Sequence, residues 1–178
     1  IAGYSAGMRI ESLSIVPMLS MGNAMSTFTA QNMGAGKIDR VKEGYRMCYV
    51  IVLTAGAVLC VMYQLAGGAF VSLFLDSGSS EAYSVGLSYV KFLSFFYSFI
   101  GLKASTDGLL RGAGDVTAFT VANLVNLAIR VSVTNLFAPI YGIQVAWMAV
   151  PLGWAANYVI SFGWYLTGKW KKVRVIKK

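Results

Sequence analysis

The sequence predicts an all-α fold, a polytopic transmembrane bundle of about five spanning helices. Three observations carry that reading. Uncharged runs cover Ser12 to Gly36, Met47 to Leu75 and Val131 to Gly168, each longer than the ~20 residues that cross ~30 Å of hydrocarbon as a helix. Of the 178 residues 57% are apolar and 12% charged, about half the charge of an ordinary soluble domain. The charges gather in short segments between the apolar runs, and the mean hydropathy is +0.63.

Hydropathy and breaker residues place the helices at 5–32, 43–65, 84–110, 116–137 and 142–167, with a basic tail at 168–178. The first contains Pro17, which is expected to kink or weaken it. The second and fifth read as apolar almost throughout. The third carries Lys91, Lys103 and Asp107, and the fourth carries Arg130, so both belong inside a bundle rather than against lipid.

Lysine and arginine fix a direction. Lys37, Arg40, Lys42 and Arg46 lie in the first connection and further basic residues in the tail, whereas 66–83 and 137–142 contain none. The positive-inside rule makes the basic segments and Arg111 cytoplasmic, and puts Asp76 and Glu81 outside. Trp164, Tyr165 and Trp170 stand where an aromatic belt would anchor the last helix, and the tail is expected to meet anionic lipid headgroups. Five crossings that begin outside, together with Ile1 in place of an initiator Met, lead us to expect that residues 1–178 form a single partial domain preceded by at least one more helix.

Several function classes recede. Cys48 and Cys60 lie about 18 Å apart along one helix, too far to pair within it. The absence of histidine removes the commonest metal ligand and general base. No nucleophile and base pair is visible, so an enzyme is not expected. Neither metal nor cofactor is expected, and the net charge of +8 follows topology rather than a nucleic-acid-binding face. The two Gly-Ala-Gly segments, in QNMGAGKIDR (Gln31 to Arg40) and LLRGAGDV (Leu109 to Val116), are not phosphate loops. Gln31 and Ile38 occupy the places where a Walker pattern needs Gly and Ser or Thr. Gly34, Gly36, Gly112 and Gly114 are read instead as helix-ending residues.

Polar residues at helical spacing mark the candidate site. Asn123, Asn126, Arg130 and Thr134 follow at steps of 3, 4 and 4, a single stripe that either lines a substrate cavity or fixes packing. Ser20, Asn23, Thr27 and Gln31 form a second stripe, where Gly22 and Ala24 also suit close helix contact. Lys103, Asp107 and Arg111 step by four, a structural ion-pair ladder or a cytoplasmic gate. The aromatic run from Phe92 to Phe99 could stack flat cations or simply pack.

QNMGAGKIDR after a polar, Pro-containing helix, then LLRGAGD, GIQVAWMAVPLGW (Gly142 to Trp154) and GKWKK (Gly168 to Lys172), resemble the carboxy-terminal lobe of multidrug and toxic compound extrusion (MATE) transporters in order and separation. The likeness covers essentially the whole chain and is nearest to the bacterial DNA-damage-inducible branch. It implies helices 8 to 12 of a twelve-helix protein of two six-helix lobes, set in a bacterial inner membrane with a cytoplasmic C-terminus. The implied activity is efflux of small organic cations by antiport against Na+ or H+ with alternating access, and the implied partners are membrane lipids and an N-terminal MATE lobe. In some members an acid in the tenth helix, about ten residues before the arginine of the LRG motif, contributes to cation binding. Here that region reads Phe99, Ile100, Gly101 and Leu102, so the coupling ion stays unassigned. Two other readings stand beside efflux: a lipid-linked or glycan flippase, supported by Arg9 and Arg130, and a non-transporting membrane scaffold subunit.

Overall fold

The structure, a computed structural model, describes residues 2–75, 80–142 and 144–172. Asp76 and residues 173–178 of the basic tail lie outside them. The described residues form six α-helices and one short 3-10 helix: α1 (Ala2–Gly34), α2 (Ile38–Ser72), α3 (Ser80–Ser94), α4 (Tyr97–Gly112), α5 (Val116–Tyr141), α6 (Gln144–Leu166) and the 3-10 turn Lys169–Lys172.

Among the described residues three helices, α2, α5 and α6, are long and apolar enough to cross a membrane, and the bent pair α3 and α4 is so when taken together. Helix α1 has 33 residues and a rise of about 50 Å, but its Ser, Thr and Asn residues dilute its hydropathy. Pro17 sits inside α1 without ending it. Large apolar side chains such as Val50, Ile51, Leu65, Leu124, Leu127 and Ile140 are exposed on the outer faces, the surface a bundle presents to lipid.

The helix expected at 84–110 is instead two, bent by 51° at Phe95 and Phe96. No Pro or Gly sits at the break. Its cause is tertiary. The Lys91 carbonyl, which Phe95 would bond in a continuous helix, accepts from Gln64 Nε2 of α2 at 2.9 Å and from Ser94 Oγ at 2.7 Å. Side chains thus supply the partner that the backbone gives up.

Both Gly-Ala-Gly segments close their helices in the same way. Lys37 N donates to the Asn32 carbonyl at 2.8 Å and Gly36 N to Met33 at 3.0 Å; Asp115 N donates to Leu110 at 2.9 Å and Gly114 N to Arg111 at 3.1 Å. Each pair is a Schellman turn with glycine in the left-handed position, φ 71° at Gly36 and 83° at Gly114. The first glycine of each segment is different. Gly112 is needed for close approach, since a Cβ there would lie 2.2 Å from the Ser26 carbonyl, and Gly34 faces open space.

Small residues seat α1 on α4. A Cβ at Gly22 would stand 2.6 Å from the Ala104 carbonyl and one at Gly108 2.1 Å from the Gly22 carbonyl, so the backbones touch along Ala104, Gly108 and Gly112. Helix α4 is the centre, packed by α1, α2 and α6. Helix α5 packs chiefly on α6 and meets α4 only lightly.

Aromatic residues at the basic end depart from a simple belt. Trp170 is fully buried, its indole N–H on the Tyr165 carbonyl at 3.0 Å and its ring stacked on Tyr165. Trp164 donates to Asp115 Oδ2 at 2.7 Å, and Asp115 Oδ1 caps α5 through Ala118 N.

Candidate polar site between α1, α4, α5 and α6

Asp107 is the hub of the buried polar groups. Facing inward from the last turns of α4, it receives Lys103 Nζ at 2.9 Å on Oδ2, one helical turn back. Asn123 Nδ2 of α5 reaches the same oxygen at 3.3 Å, and Ser161 Oγ of α6 donates to Oδ1 at 2.6 Å. The Lys103 ammonium also donates to Asn123 Oδ1 at 3.1 Å. Exposure falls to 13% for the lysine side chain and 6% for the aspartate. A pair this buried repays its desolvation only when further hydrogen bonds satisfy both ions, and here α5 and α6 contribute them.

A pocket of about 320 Å³ opens beside the pair, lined by Leu19, Asn23, Lys103, Asp107, Phe119 and Asn123, with Arg111 at its edge. Arg111 does not join Asp107. Its Nη2 donates to Asn23 Oδ1 of α1 at 2.8 Å, and its guanidinium lies 5.5 Å from the Phe119 ring centre. The expected three-residue ladder is therefore one ion pair and one separate arginine.

The expected stripes are divided among different neighbours. From the α1 stripe Asn23 lines the pocket, whereas Thr27 is exposed with its hydroxyl turned back to the Asn23 carbonyl, and Gln31 is exposed near the end of α1. From the α5 stripe Asn123 joins the hub. Asn126 instead packs against α6, where a Cβ at Gly153 would lie 2.2 Å from its Oδ1, an oxygen with no hydrogen-bond partner among the described residues. Arg130 lays its methylenes over the same glycine while remaining exposed, and Thr134 is half-buried. Asn126, Arg130 and Thr134 do not line the pocket at Asp107.

Residues not singled out from the sequence complete the polar interior. Asn157 and Ser161, four residues apart on α6, are both fully buried and joined at 3.4 Å. Thr106 of α4 bonds Tyr45 at 2.7 Å and Tyr49 at 2.8 Å of α2, and Tyr49 reaches Tyr158 of α6 at 3.3 Å. Glu11 of α1 accepts from the Tyr89 hydroxyl, and Tyr89 packs edge-on against Tyr4 and Trp147. The signal for Asn157 and Ser161 was present as a four-residue polar step inside an apolar run.

The aromatic run lies at the helix break. Phe92, Phe96 and Phe99 lean on one another at 5.2 and 6.3 Å between centres. With Met148, Pro151 and Leu152 of α6 they line an apolar groove of about 330 Å³. No group of three or more His, Cys, Asp or Glu that could hold a metal ion occurs among the described residues.

Comparison with known proteins adds the wider context. The MatE family model matches residues 1–150. The chain is 27% identical over 176 residues to the Probable multidrug resistance protein YpnP of Bacillus subtilis, covering 98% of this chain and 39% of that protein. It is 22% identical over 186 residues to the Probable multidrug resistance protein NorM of Thermotoga maritima, covering 99% of this chain and 38% of that one. Among solved structures, the inward-facing conformation of a multidrug resistance MATE family transporter of the MOP superfamily superposes with a TM-score of 0.81 at 19% identity, over 92% of this chain and 37% of that one. The chain thus spans about two fifths of the length of the relatives it matches.

Proposed function

The chain belongs to the MatE family, and on that premise we propose that it acts as one lobe of a longer secondary active exporter. This exporter moves small organic cations across a bacterial inner membrane in exchange for Na+ or H+ by alternating access. The observation that carries the reading is the pocket at Asp107, where Asn23, Lys103, Arg111 and Asn123 converge from α1, α4 and α5 inside an otherwise apolar bundle. Charged groups at such depth are costly and are retained at pathways. In this reading an N-terminal lobe supplies the other wall, the Gly36 and Gly114 turns and the basic tail face the cytoplasm, and no covalent chemistry takes place.

The test is ethidium accumulation in efflux-deficient cells that express the full-length protein, with sodium and proton gradients varied separately. Reduced accumulation that collapses with one gradient supports exchange. Unchanged accumulation with confirmed membrane expression overturns it.

One observation favours a second reading. The pocket holds two cations, Lys103 and Arg111, against one carboxylate, a balance that suits an anionic group such as a lipid-linked phosphate. Release of a fluorescent phospholipid from one leaflet to the other, with no effect on ethidium, would select the flippase.

A further inference from the structure

Lys103 sets a buried cation against the Asp107 carboxylate. Its ammonium donates to two oxygens, Asp107 Oδ2 at 2.9 Å and Asn123 Oδ1 at 3.1 Å, while Ser161 Oγ bonds the other oxygen of the carboxylate at 2.6 Å. Carboxylate and amide oxygens converging from α4 and α5 are donors that a hard cation takes. Two features hold the ammonium there. The carboxylate is almost wholly buried, and both of its oxygens are already engaged. Lys103 is tethered on the same helix, one turn away, so its local concentration exceeds that of any free ion.

We infer that Lys103 is a built-in cation that takes the place of sodium at Asp107, and that removing its ammonium opens a sodium site whose protein oxygens are Asp107 Oδ2 and Asn123 Oδ1, with Ser161 holding the carboxylate from its other side. The inference deepens the exchange reading and depends on it only for its meaning in transport, because it assigns any sodium dependence of the full-length protein to residues other than these. A lysine can do this where an arginine could not, since its charge is compact and needs only a small oxygen cage. An ion pair present only for packing leads to a different expectation. Its lysine, once neutralised, would leave a destabilised protein indifferent to which monovalent salt surrounds it.

The experiment is thermal unfolding of the purified full-length protein in detergent, in sodium chloride against choline chloride at equal ionic strength. Lys103→Gln should gain a saturable rise in Tm of about 3 °C or more that is specific to sodium, as expected when an ion binds the folded state alone. Wild type should show no such rise through Asp107, and Lys103→Gln/Asp107→Asn should lose the gain. A Lys103→Gln protein that unfolds identically in both salts overturns the inference, as does a sodium response of the wild type that disappears in the double variant. If Lys103→Gln cannot be recovered, binding of radioactive sodium to the wild type and the double variant decides the matter. Binding present only in the wild type overturns the inference, and binding gained by Lys103→Ala in unextracted membranes relative to both supports it; no gain there overturns it. Failure of the exchange reading is separately visible, as absent ethidium efflux with these sodium results unchanged.

Discussion

Gln64 of α2 donates its side-chain amide to the carbonyl of Lys91 at 2.9 Å, and so holds open the break between α3 and α4. The same nitrogen reaches Ser94 Oγ at 2.9 Å. Gln64→Leu removes both bonds and leaves the carbonyl with Ser94 alone. The expected cost is about 1 to 3 kcal/mol, read as a lower Tm of the detergent-solubilised protein. Gln64→Leu with wild-type stability would show that the bend has another cause.

Asp107→Asn strands a buried ammonium, whereas neutralising both partners does not. Breaking such a pair costs about 3 to 5 kcal/mol, while an apolar replacement of both is close to neutral. Lys103→Met/Asp107→Leu is therefore expected to unfold at a higher temperature than Asp107→Asn, and a double-mutant cycle on Tm measures the coupling.

Two glycines of α6 should respond in opposite directions. A Cβ at Gly153 meets Asn126 Oδ1 at 2.2 Å, and one at Gly163 meets nothing within 4 Å. Gly153→Ala is expected to displace the Asn126 and Arg130 side chains that rest on it and lower Tm. Gly163→Ala should hold or raise it, since alanine favours a helix over glycine by about 1 kcal/mol.

Arg111→Gln distinguishes the two substrate readings. Its guanidinium is the one cation of the pocket not paired with the carboxylate. Its removal should leave ethidium export undiminished if the substrate is cationic and abolish lipid translocation if it is a phosphate. Ethidium efflux and phospholipid movement in the same variant give the answer.

The helical steps of Asn23, Lys103, Asp107 and Asn123 were legible because polar residues spaced by four in an apolar run must share a face. Their partners were not, because a step of four says nothing about which helix lies opposite. Thus Arg111 was grouped with Asp107 on spacing alone, although it turns to Asn23 of α1. Asn126 and Arg130 continue the stripe of Asn123 but meet Gly153 of α6 instead of the pocket. Ser161 and Asn157 were hidden by the high average hydropathy of α6. The break at Phe95 left no local trace, since neither Pro nor Gly marks it and its cause lies thirty-one residues upstream at Gln64.

The paired Schellman turns limit how the lobe deforms. Only residues 35–37 join α1 to α2, and only 113–115 join α4 to α5, spans of at most about 11 Å even when extended. At that end the helices are stitched in neighbouring pairs, each stitch fixed by a glycine that no other residue replaces without strain. Any splaying of α2 from α1, or of α5 from α4, therefore has its fulcrum at Gly36 and Gly114, and the displacement grows toward the far ends as in the blades of a pair of shears.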